Sequence, residues 1–274
     1  MSGDFPAFVP FHPKDQRTLS FCVRGIRARV RPPPSRVVLI SGLLERAVMR
    51  EVSRLGVEWL DEARALAEAG LRERPAVCAG GVDRSGWIVQ QILKWEARRH
   101  VRGEFYLVVD ADTVFLRPTR LVEGGRGVLF ERPGAYAPYL ATYARLLGRP
   151  AANDRSFINH FMVFHRPTLD ALVEAIGARA GGTWVEAVLA ALDPAEGSSF
   201  SEFETYGHFA TEQFPERVAL RPSDNRGARP WLRSIRLQLA LARLLGAGSL
   251  SFHTYLADRT LRGEIERLWA RARR

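Results

Sequence analysis

Lysine is almost missing from this chain. Lys14 and Lys94 are the only two among 40 basic residues, so 38 are arginine. Where arginine fills nearly every basic position, a remaining lysine marks a place for a compact ammonium rather than a planar fork. Cysteine is equally scarce. Cys22 and Cys78 sit in core-type contexts without metal-ligand spacing, which excludes a disulfide scaffold and a cysteine zinc site and points to a reducing compartment. No apolar run is long enough to span a bilayer, and the opening "MSGDFPAFVPFHPKD" has no basic segment followed by an apolar one. The expectation is a cytoplasmic protein. Low-complexity blocks, internal repeats and long linkers are also missing, so a single compact domain spanning 1–274 is expected.

What is present is ordinary for a folded protein: 46% hydrophobic and 26% charged residues over 274 positions. The net charge of +10 draws anionic partners, but the arginines are scattered through helix-like segments and interleaved with glutamates. That pattern reads as a solvated charged surface, with no nucleic acid as partner. A basic nucleic-acid or membrane-surface binder without catalysis stays as the non-enzyme alternative.

Strand and helix signals alternate through the first half. "AFVPF", "RVVLISG" and "VEWLDE" read as strands, the segment after "HPKD", "LLERAVMREVSRLG" and "ARALAEAG" as helices. Alternation of this kind predicts an α/β fold, a mostly parallel sheet with helices on both faces. "SGWIVQQILKWEARRH" reads as a helix capped by Ser85, with Trp87, Gln90, Gln91 and Lys94 along one stripe and Ile88, Ile92 and Trp95 along another. In the second half, "FINHFMVFH" reads as a strand, "RPSDNRGARP" as a loop, and Trp231 to Leu245 as an apolar-basic helix.

The stretch "FYLVVDADTVFLRP" ends a buried strand on two carboxylates, Asp110 and Asp112. On extended backbone, residues two apart point the same way, and two like charges buried together need a cation. Hard carboxylate oxygens suit Mg2+ or Mn2+, ions that bridge protein oxygens to phosphates, and the carboxyl edge of a parallel sheet is where such folds bind ligands. Two enzyme classes use the pattern. A phosphatase of the haloacid-dehalogenase type matches D-x-D-x-V, with Asp110 as nucleophile. Its later signals are missing, however: no lysine follows Lys94, and there is no D-D or G-D-x-x-x-D. Transfer of a sugar from a nucleotide-diphosphate sugar, with a metal neutralising the departing diphosphate, fits the position of the motif better.

Four blocks in order, "SGWIVQQILKWEA", "FYLVVDADTVFLRP", "FINHFMVFHRPTLDALV" and "FSEFETYG", resemble a bacterial family of predicted glycosyltransferases with the GT-A fold. The resemblance runs from about Phe8 to Leu256. It implies a metal-dependent transferase with a nucleotide-sugar half over about 1–132, an acceptor half over about 133–258, and a basic terminal helix at 259–274. It further implies donor contacts from His12, Lys14, Asp15, Ser41 with Gly42, Trp87, Gln90, Gln91, Lys94 (reaching a phosphate) and Asp110. The metal would sit on Asp110 and Asp112, with His253 placed where a late histidine ligand falls. Asn159 and His160 would line the acceptor cleft, and Glu202 or Glu204 would be the base. "SSFSEFETYG" offers two overlapping S-x-x-E capping boxes; a start at Ser201 makes Glu204 structural and leaves Glu202 freer to act. The acceptor is a glycan, a lipid-linked molecule or a small molecule. The Trp231 to Leu245 helix is read as packing on its own domain, or as docking on an anionic membrane to reach a lipid-linked acceptor.

Overall fold

The computed structural model describes residues 4–229 and 232–252. In chain order its longer strands are β1 (Ala7–Pro10), β2 (Val37–Ser41), β3 (Glu58–Asp61), β4 (Phe105–Val109), β5 (Thr113–Phe115), β6 (Arg126–Pro133), β7 (Phe161–His165), β8 (Val218–Pro222), β9 (Asn225–Gly227) and β10 (Ser249–Ser251). The main sheet has the order β7-β4-β1-β2-β3. Its first-half strands run parallel, with Phe8 opposite both Val38 and Val108, and only β7 is antiparallel, with Phe164 opposite Tyr106.

Each parallel pair is joined through helices: α1 (Gln16–Arg29) after β1, α2 (Arg46–Arg54) after β2, and α3 (Glu62–Glu68) with α4 (Ser85–Glu96) after β3. All five residues of β4 are buried, so both of its faces are covered, and a run of apolar residues without alternation is what such a strand requires. Tyr106 stacks on Phe164 with ring centroids 5.2 Å apart and meets Phe8 edge-on at 5.8 Å. Ile88, Ile92 and Trp95 of α4 are wholly buried, as their helical spacing predicts.

The second half adds α5 (Ala137–Leu147), α6 (Arg166–Ala180), α7 (Trp184–Ala191), α8 (Glu202–Gln213) and α9 (Ile235–Leu244). There β8 runs parallel to β6, while β10 pairs with β5 and β9. A small second core of Val114, Leu116, Ala242, Ala247 and Leu250 fixes α9 beside β5. Among the described residues no helix is long and apolar enough to cross a membrane.

Several local expectations change. Ser85 is the first residue of α4 rather than its cap, because its Oγ accepts from Val77 N–H at 2.9 Å. Cys78 is exposed; only Cys22 lies in the core. The strand in "FINHFMVFH" starts at Phe161, leaving Asn159 and His160 in the preceding turn. "RPSDNRGARP" contains the end of β8 and all of β9, and the helix expected from Trp231 starts at Ile235. His253 and the terminal helix expected at 259–274 lie outside the described residues.

Candidate active site

At the end of β4 the chain turns sharply. Asp110 C=O accepts from Thr113 N–H at 2.9 Å, so the two carboxylates lie on a tight turn into β5 rather than on extended backbone. They are still close enough to interact, with opposite consequences. Burial pushes Asp110 up, but the Lys94 ammonium and then the His160 ring hold it well below the usual carboxylate range. Burial, and then the charge of Asp110, push Asp112 up to about 7.

Lys94 places one cation beside Asp110. Its Nζ lies 2.8 Å from Asp110 Oδ1 and 2.6 Å from Glu202 Oε1, and 4.4 Å from the centre of the Phe203 ring. Lys94 is 6% exposed and Glu202 3%, so this is a buried carboxylate–ammonium–carboxylate bridge from α4 through the Asp110 turn to the start of α8. Burial alone would lower the Lys94 ammonium, yet the two carboxylates outweigh it and hold it up. A compact ammonium fits between two carboxylates and over a ring, which accounts for a lysine here in an arginine-rich chain. Lys94 is therefore turned to these two carboxylates rather than outward. Gln91, one turn earlier, also turns to α8: its Oε1 accepts from Glu202 N–H at 3.0 Å, while its buried Nε2 has no partner among the described residues.

His160 holds Asp110 from the other side. Its ring Nδ1 is 3.1 Å from Asp110 Oδ2, and its carbonyl accepts from Asp110 N–H at 2.9 Å. It does so with a φ of 60°, the one left-handed non-glycine residue among those described. A strained backbone of this kind persists where surrounding contacts over-determine it, and such residues gather at functional sites. His160 thus belongs to the Asp110 turn, with its ring partly exposed there. Asn159 does not line a cleft: it is buried, its Nδ2 donates to Phe130 C=O at 2.7 Å, and its Oδ1 accepts from Ser223 Oγ.

The acidic start of α8 divides the two glutamates differently from expectation. Ser201 is the cap, its Oγ accepting from Glu204 N–H at 3.2 Å. Glu204 does not complete the box; its Oε2 accepts from Phe157 N–H at 2.7 Å, leaving Oε1 buried without a partner among the described residues. Glu202 is not free to act as a base, because Lys94 holds it. Burial raises both carboxyls, against the pull of Lys94 on Glu202 and of Phe157 N–H on Glu204.

The donor residues expected at the carboxyl edge of the sheet separate into two groups. His12 and Lys14 are exposed on the turn after β1, with His12 Nδ1 accepting from Lys14 N–H at 3.3 Å. Asp15 behind them makes no capping bond with its side chain; burial raises it to about 6, against Lys14 and with Asp110 adding to the rise. Ser41, by contrast, is turned to the frame: its Oγ accepts from Trp59 Nε1 at 3.1 Å and donates to Gly42 C=O at 3.1 Å. Trp87 and Gln90 are half-buried on α4, Trp87 beneath the Arg84 guanidinium at 4.8 Å.

A hydroxyl ladder that sequence reading missed supports the Asp112 side. Thr113 Oγ1 donates to Asp112 Oδ1 at 3.3 Å and lies 2.8 Å from Ser251 Oγ, and Ser251 and Ser249 both donate to Asn225 Oδ1. Phe252 N–H donates to Asp112 C=O at 2.9 Å, so the chain leading to position 253 is tied to the D-x-D turn. The antiparallel β5–β10 pairing that builds this ladder joins residues 138 positions apart, and no local pattern announces it.

A family model, the family of unknown function DUF6492, matches residues 45–219. A search of curated proteins gives no match. Among solved structures, the apo form of mouse xyloside xylosyltransferase 1 is 12% identical, with 92% of this chain and 98% of that one covered and a TM-score of 0.51. An active-site mutant of LgtC is 10% identical, with 98% and 96% covered and a TM-score of 0.51. The apo form of the bifunctional glycosyltransferase WbbM is 10% identical with a TM-score of 0.50; the match takes in 92% of this chain but only 46% of that one. At such identities the likeness is one of fold. The chain belongs to DUF6492, a family of unknown function, and folds as GT-A glycosyltransferases do.

Proposed function

We propose that the protein is a metal-dependent glycosyltransferase that moves a sugar from a nucleotide-diphosphate sugar to an acceptor. The observation that carries the reading is the acidic turn at the carboxyl edge of a GT-A sheet, with one carboxylate held ionised and its neighbour protonated up to about 7. These hard oxygens fit Mg2+ or Mn2+. Asp110 and Asp112 would hold the ion, which when bound would neutralise charge on the departing diphosphate. Among the described residues no group of three His, Cys, Asp or Glu is gathered that could hold a metal ion by itself.

The chain's own residues act around that seat. Lys94 and His160 keep Asp110 ionised and fix its two oxygens in direction. Exposed His12 and Lys14, with Asp15 behind them, stand at the same sheet edge for the nucleotide, and Trp87 and Gln90 remain candidates for the base or sugar. Glu202 and Glu204 position the start of α8, so the role of base passes from them. The phosphatase reading is not favoured, since the solved structures that share this fold over nearly the whole chain are glycosyltransferases.

The test is a thermal-shift screen of nucleotide-diphosphate sugars with and without Mn2+. A donor that stabilises only with metal, and only in a chain that keeps Asp112, supports the reading. Equal shifts with and without metal refute it, and release of phosphate from generic esters would restore the phosphatase.

A further inference from the structure

Helix α9 presents an apolar stripe to solvent. Leu237, Leu241 and Leu244 of the helix and Leu245 just past its end are 41–83% exposed, although the helix is seated through Gln238 and Ala242. At about 100° per residue these four leucines fall within about 100° of the helix circumference. Ala242 and Gln238 face inward; Gln238 Oε1 accepts from Arg229 N–H at 2.6 Å and its Nε2 donates to Leu232 C=O at 2.6 Å. The outward turn of the leucines is therefore set by bonds and packing on the adjoining face.

The charge around the stripe selects its occupant. From Asn225 to Phe252 the chain carries five arginines and no aspartate or glutamate. Arg233, Arg236 and Arg243 of this stretch are exposed, and none makes an ion pair among the described residues. By the same helical angle Arg236 and Arg243 follow about 80–100° beyond Leu244, on the side of the stripe away from Gln238. An apolar stripe edged by unpaired arginines matches an anionic bilayer surface, where leucines enter the acyl boundary and guanidiniums meet headgroup phosphates.

We propose that α9 docks the protein on an anionic membrane surface. The helix leads directly into β10 and from there to the Asp112 turn, so a docked bilayer lies on the β10 side of the candidate site. On the transferase reading, that places a lipid-linked acceptor within the surface the protein sits on; the docking itself does not depend on that reading.

The experiment is co-sedimentation of the whole chain with phosphatidylcholine vesicles and with vesicles containing about one third phosphatidylglycerol. Binding is expected only to the anionic vesicles and to weaken in high salt. The double variant Leu241→Glu/Leu244→Glu should lose at least about tenfold in partitioning. Changing Arg233, Arg236 and Arg243 to glutamine should lose on the order of a hundredfold, about fivefold for each charge. All altered side chains are exposed, so circular dichroism and melting should be unchanged, and so should the sugar-nucleotide thermal shift, which separates this test from that of the transferase. The proposal is overturned if neither vesicle binds, if binding survives the leucine variant, if RNA binds in place of vesicles, or if the leucines instead hold a dimer that the glutamates dissociate.

Discussion

Replacing Asp112 by asparagine should make the metal-free protein more stable while removing its response to metal. In the folded chain, burial and then the charge of Asp110 push this carboxyl up to about 7, whereas in the unfolded chain it titrates near about 3.9. Between these values the folded state keeps a proton that the unfolded state has lost, so the Asp112 contribution costs stability as pH rises, by about 1.4 kcal/mol per pH unit. The ceiling is about 4 kcal/mol above pH 7, and partial exposure together with coupling to Asp110 brings the expected value to about 2 kcal/mol. Asparagine is neutral throughout and keeps an oxygen for Thr113, so the variant and the wild type should melt alike near about pH 4. For 274 residues the unfolding entropy is about 0.6 kcal/mol per kelvin, so at about pH 8 the variant should melt about 3–4 °C higher. With Mn2+ and a sugar nucleotide at a hundred times its Kd, the wild type gains about 2.7 kcal/mol and the order reverses. Scanning fluorimetry at both pH values measures both effects. A variant that melts at or below the wild type at high pH without metal would refute the electrostatic account of the site.

Lys94→Met removes the cation from between two buried carboxylates and should destabilise the chain by about 3–5 kcal/mol in urea unfolding, with Lys94→Arg failing to restore it. An unchanged urea midpoint for Lys94→Met would mean that Asp110 and Glu202 are not the charges this lysine holds. Gly207 lies against Phe157, and a methyl group there would overlap that ring. Gly207→Ala should therefore cost about 1–3 kcal/mol despite alanine's better helix propensity, and a stabilised variant would show that Phe157 can move aside.

The parallel sheet was legible because strands such as "FYLVV" are apolar without alternation and are separated by amphipathic helices. The carboxylate pair was legible because like charges at the end of a buried run need a partner, whereas the turn that carries it was not. What misled was the assumption that a side chain belongs to the site its own helix faces. Gln91, Lys94 and Ser41 had the right chemistry for a ligand, yet each is turned to the protein frame. Asn159 and Glu202 are polar residues near element starts, and their partners Phe130 and Lys94 lie 29 and 108 positions away. The hydroxyl ladder through Thr113, Ser251 and Asn225 offered only common residue types with no spacing to mark them.

Hydrophobic period and turn chemistry are local, and so the sequence by itself determined the order of strands and helices, the two carboxylates at the end of β4, and the rarity of lysine that singled out Lys94. Which group neutralises Asp110, which way the glutamates at the start of α8 face, and that the leucines of α9 point outward are set by contacts between distant segments. Only the tertiary structure decided these, because the energy of a buried charge depends on the neighbours that folding brings to it.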